Sequence, residues 1–381
     1  MSNDLTLVTK PLEAANGLPN SHYTDQSVYE LEKRALFFEG WPGLCVASEV
    51  PKIGDAIPMS FMGMPLLVIR GKQGEVQVFQ NICRHRGMIL VKEKKNIEGA
   101  IRCPYHSWCY STEGNLLVTP HVGGPGMNTH PDIDKNTLGL IEVRSYVWRD
   151  VIFINISGDA EPFENIHKNL MTRWEEFEQP LFHGGEDSKF LLDVKCNWKL
   201  AVENFCESYH LPWIHPGLNT YSKLEDHYNI NEPNLYSGQG SLLYRQFLGN
   251  NGAAFPNFAD LSDKWTDGAE YITVYPNVLL AVQKDHVYAT IINPTSINTT
   301  EEHMHIYYAS SDTDPKMRKD NCMQWEGIFI EDIFVVEGMQ TGRQCSGFDG
   351  GRFSPTMDGP THCFHAWVAN KLLNLNHTLS A

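Results

Sequence analysis

Two Cys/His pairs constrain this chain more than any other feature. Cys83-Arg84-His85 and Cys103-Pro104-Tyr105-His106 are separated by seventeen residues, and each reads as the tip of a hairpin. Two chemistries take two thiolates and two imidazoles. One is a structural zinc site of the Cys₂His₂ type. The other is a [2Fe–2S] cluster in which two Cys hold one iron and two His hold the other. Common zinc fingers pair Cys with Cys and His with His. Here each tip supplies one of each, as divided iron ligation requires, and Arg86-Gly87 and Ser107-Trp108 beside the donors also fit the iron form.

The surrounding sequence suits a small antiparallel β-domain. Short β-rich runs between turn signals include Leu44–Ala47, Pro65–Arg70, Glu75–Phe79, Leu116–Thr119 and Val151–Ile154. Before them, residues 1 to 24 read as an extended polar arm, and Asp25–Gly40 as a helix punctuated by Pro42-Gly43.

A second constellation lies in the stretch Asn197–His215. It holds two histidines five positions apart, His210 and His215, with the carboxylate of Glu207 just before the first. Imidazoles plus a carboxylate on one face of a metal, other positions left open, is how a non-haem Fe(II) is held for O₂ chemistry. Five residues is a poor spacing on an unbroken helix. Pro212 disfavours helix just before it, so a helix running from Glu203 to Tyr209 can end there and let His215 turn back. Glu207, three residues before His210, is expected one helical turn away on the same face.

Composition bounds the rest. The chain of 381 residues has room for two domains, and its net charge of −16 argues against nucleic acid as a partner. No apolar run reaches bilayer length, so no membrane is expected. Met1-Ser2-Asn3-Asp4 lacks the form of a signal peptide, which points to the cytoplasm. Nine cysteines without regular spacing leave some as free thiols or metal ligands. Cys109, Cys196 and Cys206 read as small buried hydrophobes.

Taken in order, Cys83–Gly87, Cys103–Trp108 and Asn197–His215 resemble the large subunit of the Rieske non-haem iron oxygenases over nearly the whole chain. Ser107 departs from the family's usual Gly. The resemblance implies an α+β fold: an all-β Rieske domain at 38–160, and a catalytic domain of 1–37 and 161–381 whose antiparallel sheet is flanked by helices in a helix-grip-like arrangement. It implies a Rieske [2Fe–2S] cluster on Cys83, His85, Cys103 and His106, and a mononuclear Fe(II) on His210, His215 and the acid of a late helix, Asp332. Glu331 is the first alternative to Asp332. Glu207 would bridge His210 to His106 of another subunit in a homotrimer, and Asn204 is the second candidate catalytic residue. The implied reaction uses O₂, a small-molecule substrate and electrons from an NAD(P)H-dependent reductase or ferredoxin. The cations Arg84, Arg86, Lys92, Lys94, Lys95 and Arg102 offer such a partner a landing site.

Many ring-hydroxylating members carry Asp where this chain has Glu207. Glutamate there resembles the subgroup acting on quaternary ammonium compounds, such as carnitine oxygenase, choline monooxygenase and glycine betaine demethylase. That subgroup monooxygenates a carbon next to nitrogen. An aromatic-ring dioxygenase is the alternative, and an iron–sulfur carrier or zinc-stabilised binding module a remote one.

Beyond residue 160, Glu164–Glu178 reads as a helix and Phe190–Trp198 as a strand. Pro233–Asp267 reads as an irregular segment whose Tyr236, Tyr244, Phe247, Phe255, Phe258 and Trp265, with Tyr271, are candidates for a cation–π cage. Four strand-like runs follow: Tyr271–Tyr275, Val278–Gln283, His286–Asn293 and His303–Ala309. A helix over Pro315–Gln344 carries Met323, Ile330, Phe334 and Met339 at helical intervals. The remaining histidines, His227, His286 and His377 among them, read as fillers.

Overall fold

The computed structural model describes residues 5–249 and 252–380, with side chains through 375. The start at Met1–Asp4 and the side chain of His377 lie outside the described residues. The chain divides into two compact units, Leu44–Asp159 and a unit joining Met1–Gly43 to Ala160–Ala381. Pro42-Gly43 stays with the second unit. Trp41 Nε1 donates to the Glu161 carbonyl, and the Asn277 side chain holds both the N–H and the carbonyl of Gly43.

The smaller unit is all-β. Its main sheet runs in the order Gly43–Val46, Val151–Asn155, Glu142–Trp148, Val76–Gln80, Met64–Arg70, Asp55–Phe61 and Lys95–Asn96. A second, three-stranded sheet holds Ala100–Arg102, Cys109–Ser111 and Leu116–Val118. Ala56, Leu67, Ile69, Phe79, Ile101 and Tyr110 share one core with Cys83 and Cys103, so the thiol pair is built into the apolar interior.

The larger unit has an antiparallel sheet in the order Phe182–His183, Thr299–Tyr308, His286–Ser296, Val278–Val282, Ala269–Val274, Tyr236–Ser241 and His227–Glu232, with Lys189–Val194 also paired to Thr299–Tyr308. Helix Trp198–Cys206 packs on this sheet, and helix Pro315–Gly342 packs on both that helix and strand Lys189–Val194. A helix over Gly359–Ser380, absent from the sequence reading, covers the Tyr236–Ser241 end. The fold is α+β. No helix among the described residues is long and apolar enough to cross a membrane.

Several expected elements differ. The arm after Asp4 is not extended: it forms short turns that bury Leu5, Val8, Leu18 and Tyr23. Helix Asp25–Gly40 is Gln26–Glu32 capped by Asp25, then a wider turn over Lys33–Phe38. Glu164–Glu178 breaks into Phe163–Ile166, Lys168–Arg173 and Glu175–Phe177. Strand Tyr236–Ser241 lies inside the segment read as irregular. Its small residues hid it, yet a Cβ on Gly238 would come 2.0 Å from the Tyr271 carbonyl oxygen, so close strand packing requires them. On helix Pro315–Gly342, Met323, Ile330 and Phe334 are 58%, 49% and 69% exposed. They mark the outer face, because this helix carries apolar residues on both sides.

Buried ion pairs tie the N-terminal segment to helix Trp198–Cys206. Lys199 Nζ lies 2.6 Å from Glu32 Oε2 with both side chains fully buried, and Tyr23 donates to Glu203, which also meets His365 at 3.0 Å. Breaking one such partner leaves a charge without compensation, worth about 3–5 kcal/mol. This anchors the helix that leads into the histidine pair.

Candidate metal centres and substrate pocket

In the smaller unit the two Cys/His loops share one backbone pattern. Cys83 N–H donates to the Met88 carbonyl and Cys103 N–H to the Trp108 carbonyl, both at 2.8 Å. Gly87 N–H returns to the Cys83 carbonyl and Ser107 N–H to that of Cys103. Gly87 has φ +70 and Ser107 φ +57, so Ser107 occupies the left-handed position that glycine fills in the sister loop. The departure at 107 thus falls where a side chain is strained, with the loop geometry kept.

The donors are sorted by depth. Cys83 and Cys103 are buried, while His85 and His106 are exposed. The imidazoles lie 4.8 Å apart between ring centroids, and His85 stacks on Trp108. Tyr110 Oη lies 3.2 Å from Cys83 Sγ. Burial pushes the Cys83 thiol up. Two thiols inside and two imidazoles outside match a cluster whose two irons have different ligands. Of the cations expected around it, Lys94 pairs with Glu49 at 2.7 Å, Arg84 donates to the Gly139 carbonyl, and Arg86 lies over Tyr105.

In the larger unit Asn197 caps the helix by accepting from Lys199 N–H, and the helix ends at Cys206 rather than Tyr209. Glu207 is extended, and a turn leads to a short second helix, Leu211–Ile214, with Pro212 in its first turn. Glu207 and His210 therefore meet across a turn and not along a helical face. One Glu207 oxygen accepts the backbone N–H groups of Tyr209 and His210, and the other lies 2.7 Å from His210 Nδ1.

His215 is held in the same way from the far helix, its Nδ1 2.7 Å from Glu331 Oε2. Glu331 thus faces the Nδ1 of His215, and Asp332 its Nε2. With both Nδ1 atoms engaged by carboxylates, the protons belong there and the Nε2 lone pairs are free. Both Nε2 atoms face Asp332 Oδ1, at 3.8 Å from His210 and 3.0 Å from His215. That oxygen is buried without a hydrogen bond. Among the described residues His210, His215 and Asp332 form the one group of three ligand atoms lying within 4.8 Å of one another. Two imidazole Nε2 atoms and a carboxylate oxygen without a hydrogen bond, converging on one point, fit a divalent iron with positions left open. Burial alone would lower the His215 pKa, but Asp332 and Glu331 outweigh it and raise it.

A cavity opens on this point. Asn204 and Phe205 line it from the first helix, and Trp325, Phe329, Asp332 and Val336 from one face of the late helix. Of the seven expected cage aromatics only Tyr271 lines it; Tyr244 and Phe247 line a smaller adjoining pocket. Trp265 and Phe258 pack against Phe177 in the core. Two further rings that reach the cavity, Tyr288 and Trp325, come from a strand and a helix whose inward positions no local pattern reveals. Two histidines read as fillers also have duties here. His227 lines the wall between Ser222 and Gln239. His286 accepts from the Trp325 indole at 2.9 Å while its Nδ1 lies 2.9 Å from Asp285.

Residues 172–374 match the ring hydroxylating alpha subunit (catalytic domain) family and residues 40–137 the Rieske [2Fe-2S] domain. The chain is 26% identical over 342 residues to the carnitine monooxygenase oxygenase subunit of Acinetobacter pittii, covering 87% of this chain and 86% of the relative. It is 22% identical over 378 residues to the chloroplastic choline monooxygenase of Arabidopsis thaliana, covering 95% and 84%. In fold it resembles a quaternary ammonium Rieske monooxygenase solved with L-carnitine (TM-score 0.76, 22% identity, 96% and 98% covered). It also resembles naphthalene 1,2-dioxygenase from Rhodococcus sp. (TM-score 0.75, 18% identity, 98% and 99% covered).

Proposed function

Since the chain belongs to the ring-hydroxylating alpha-subunit family and carries a Rieske domain, and is thereby a Rieske non-haem iron oxygenase fed by a reductase, we propose that its substrate is a small quaternary ammonium or N-methyl compound. One oxygen atom of O₂ enters a C–H bond beside nitrogen and the other leaves as water, with two electrons from the reductase and two protons from solvent. A hydroxylated N-methyl group then departs as formaldehyde, which is N-dealkylation.

The observation that carries the substrate class is the pocket wall. Tyr271, Tyr288 and Trp325 stand 4.8–6.5 Å from one another between centroids in the cavity beside Asp332, and aromatic faces are what recognise a cation that has no N–H to donate. The two similar relatives named for carnitine and choline support the same class. The bound iron supplies O₂ activation. The chain's part is positional: His210, His215 and Asp332 hold the metal, Glu207 and Glu331 fix the imidazole protons on Nδ1, and Asn204 borders the space beside them. Cys83, His85, Cys103 and His106 hold the cluster, its imidazole side turned outward to receive electrons.

The reading includes a cytoplasmic homotrimer in which Glu207 joins His210 to the cluster imidazole His106 of a second copy. No disulfide joins the described cysteines, as in a reducing compartment. Exposed Trp213, at 67%, and the outer apolar face of the late helix offer surface for a second copy. A turnover screen of carnitine, choline, glycine betaine and aromatic acids, with O₂ and a surrogate reductase, tests the function. Formaldehyde or hydroxylated product from a trimethylammonium compound is expected; turnover of aromatic acids alone would move the chain to the ring dioxygenases.

A further inference from the structure

Glu302 is a second acid in the cavity wall, besides Asp332. It sits on strand Thr299–Tyr308, between Leu192 and Ile292 of the flanking strands. It lines the substrate cavity and is 7% exposed. Around the same cavity stand the apolar Val194, Ala201, Leu279 and Val336. Among the described residues its side chain makes no hydrogen bond and no ion pair, and the one charge that acts on it is another carboxylate, Asp332. It also stands outside the group of converging metal donors. An ionised carboxylate in such a place is strongly disfavoured unless a cation joins it.

Resting on the quaternary ammonium reading above, we infer that Glu302 is the counter-charge for the cationic head group and decides the pocket's preference for a cation over an uncharged ligand. A quaternary ammonium cannot donate a hydrogen bond, so charge and aromatic faces are the handles it offers. Tyr271, Tyr288 and Trp325 supply the faces. Trp325 is held in place by the chain Trp325–His286–Asp285, which Tyr244 closes by donating to Asp285 at 2.9 Å. Burial raises the Tyr271 hydroxyl to about 12 and Tyr288 well above its usual value, so both rings stay neutral. The rings would hold a cation and its carbon isostere with comparable contact area; the buried carboxylate separates them. An apolar aromatic ligand would leave that carboxylate unpaired. Burial and Asp332 together push Glu302 up to about 8, in keeping with a site that lacks a positive charge when empty. A proton-delivery role would need a hydrogen-bonded route from Glu302, and none is made among the described residues.

The test compares Glu302→Gln with the parent in anaerobic calorimetric titrations of iron- and cluster-loaded protein. The ligands are carnitine, choline and glycine betaine, each with the tert-butyl compound in which carbon replaces nitrogen, so that the head group alone loses its charge. The parent should bind at least one cation more tightly than its isostere. Glu302→Gln should lose about 30-fold or more in affinity for that cation, as for removal of one partner of a buried charge pair, and leave isostere binding within about twofold. Glu302→Asp, which keeps the charge, should keep the preference. Preference unchanged in Glu302→Gln, or lost equally in Glu302→Asp, would overturn the assignment of charge recognition to Glu302 while the substrate class stands. A parent that binds no cation better than its isostere would overturn the substrate class and this inference with it. Iron and cluster content and the melting temperature confirm that each variant is folded.

Discussion

Replacing Glu207 and Glu331 by glutamine, one at a time, separates the two carboxylates that orient the iron-site imidazoles. Each lies 2.7 Å from a histidine Nδ1. Loss of such a supporting carboxylate lowers metal affinity by about 10–100-fold. The two variants should nevertheless differ, because their surroundings differ. Glu331 makes that one bond and its side chain is 49% exposed. Glutamine at 331 can turn its amide oxygen to His215 and its NH₂ to water, so the loss should lie near tenfold. The Glu207 side chain is 13% exposed, and its second oxygen already accepts two backbone N–H groups. Glutamine there must aim its NH₂ at those donors or at His210 Nδ1. The first orientation sets donors against donors, a penalty of about 1–3 kcal/mol. The second drives the His210 proton to Nε2, the atom that faces Asp332. Together the losses reach on the order of 1,000-fold for Glu207→Gln. Anaerobic Fe(II) titration of iron-stripped protein against a competing chelator measures both, with cluster absorbance as the concentration standard. Equal losses, or a larger loss for Glu331→Gln, would refute the reasoning. At saturating iron the variants should part again. Glu331→Gln should still oxidise substrate in a single turnover, whereas Glu207→Gln should hold a reduced cluster that does not discharge. Parent-rate oxidation in iron-loaded Glu207→Gln would remove Glu207 from the electron route.

Cys83→Ser should bleach the [2Fe–2S] absorption and its low-temperature EPR signal and leave iron binding at His210 and His215 intact; a colourless parent protein holding zinc alone would sink the cluster assignment. Asp332→Ala should lose mononuclear iron while the cluster spectrum persists, and full iron content in this variant would place the third ligand elsewhere. For pH, the Glu302 carboxyl is raised from 4.5 to about 8 in the folded chain by burial and Asp332. Its contribution to stability is therefore complete below 4.5 and is lost as the pH climbs to about 8. In metal-free, substrate-free protein the melting temperature of Glu302→Gln should gain on the parent across that window, and a constant difference would contradict it.

What the sequence determined by itself was local. The Cys-X-His and Cys-X-X-His loops, and the glutamate three residues before His210, are set by neighbours in the chain. Their donor types and spacing are enough to name two metal centres, and the β-runs of the smaller unit were readable because turn residues bracket them. Asp332 is a different case. Its helix was legible, but Glu331 and Asp332 are adjacent acids, and the resemblance chose between them where the pattern could not. Only the tertiary structure shows one facing both Nε2 atoms and the other bonded to His215 across 116 residues. The pocket was still less legible. Tyr288, Glu302 and Trp325 reach one cavity because strand register and helix rotation turn them inward. Burial of this kind is decided by what packs opposite a residue, and that partner lies far away along the chain. For the same reason the strand Tyr236–Ser241 passed for a loop, and Met323, Ile330 and Phe334 traced the outer face of their helix: hydrophobic period states that a face exists, and only packing decides which face is covered.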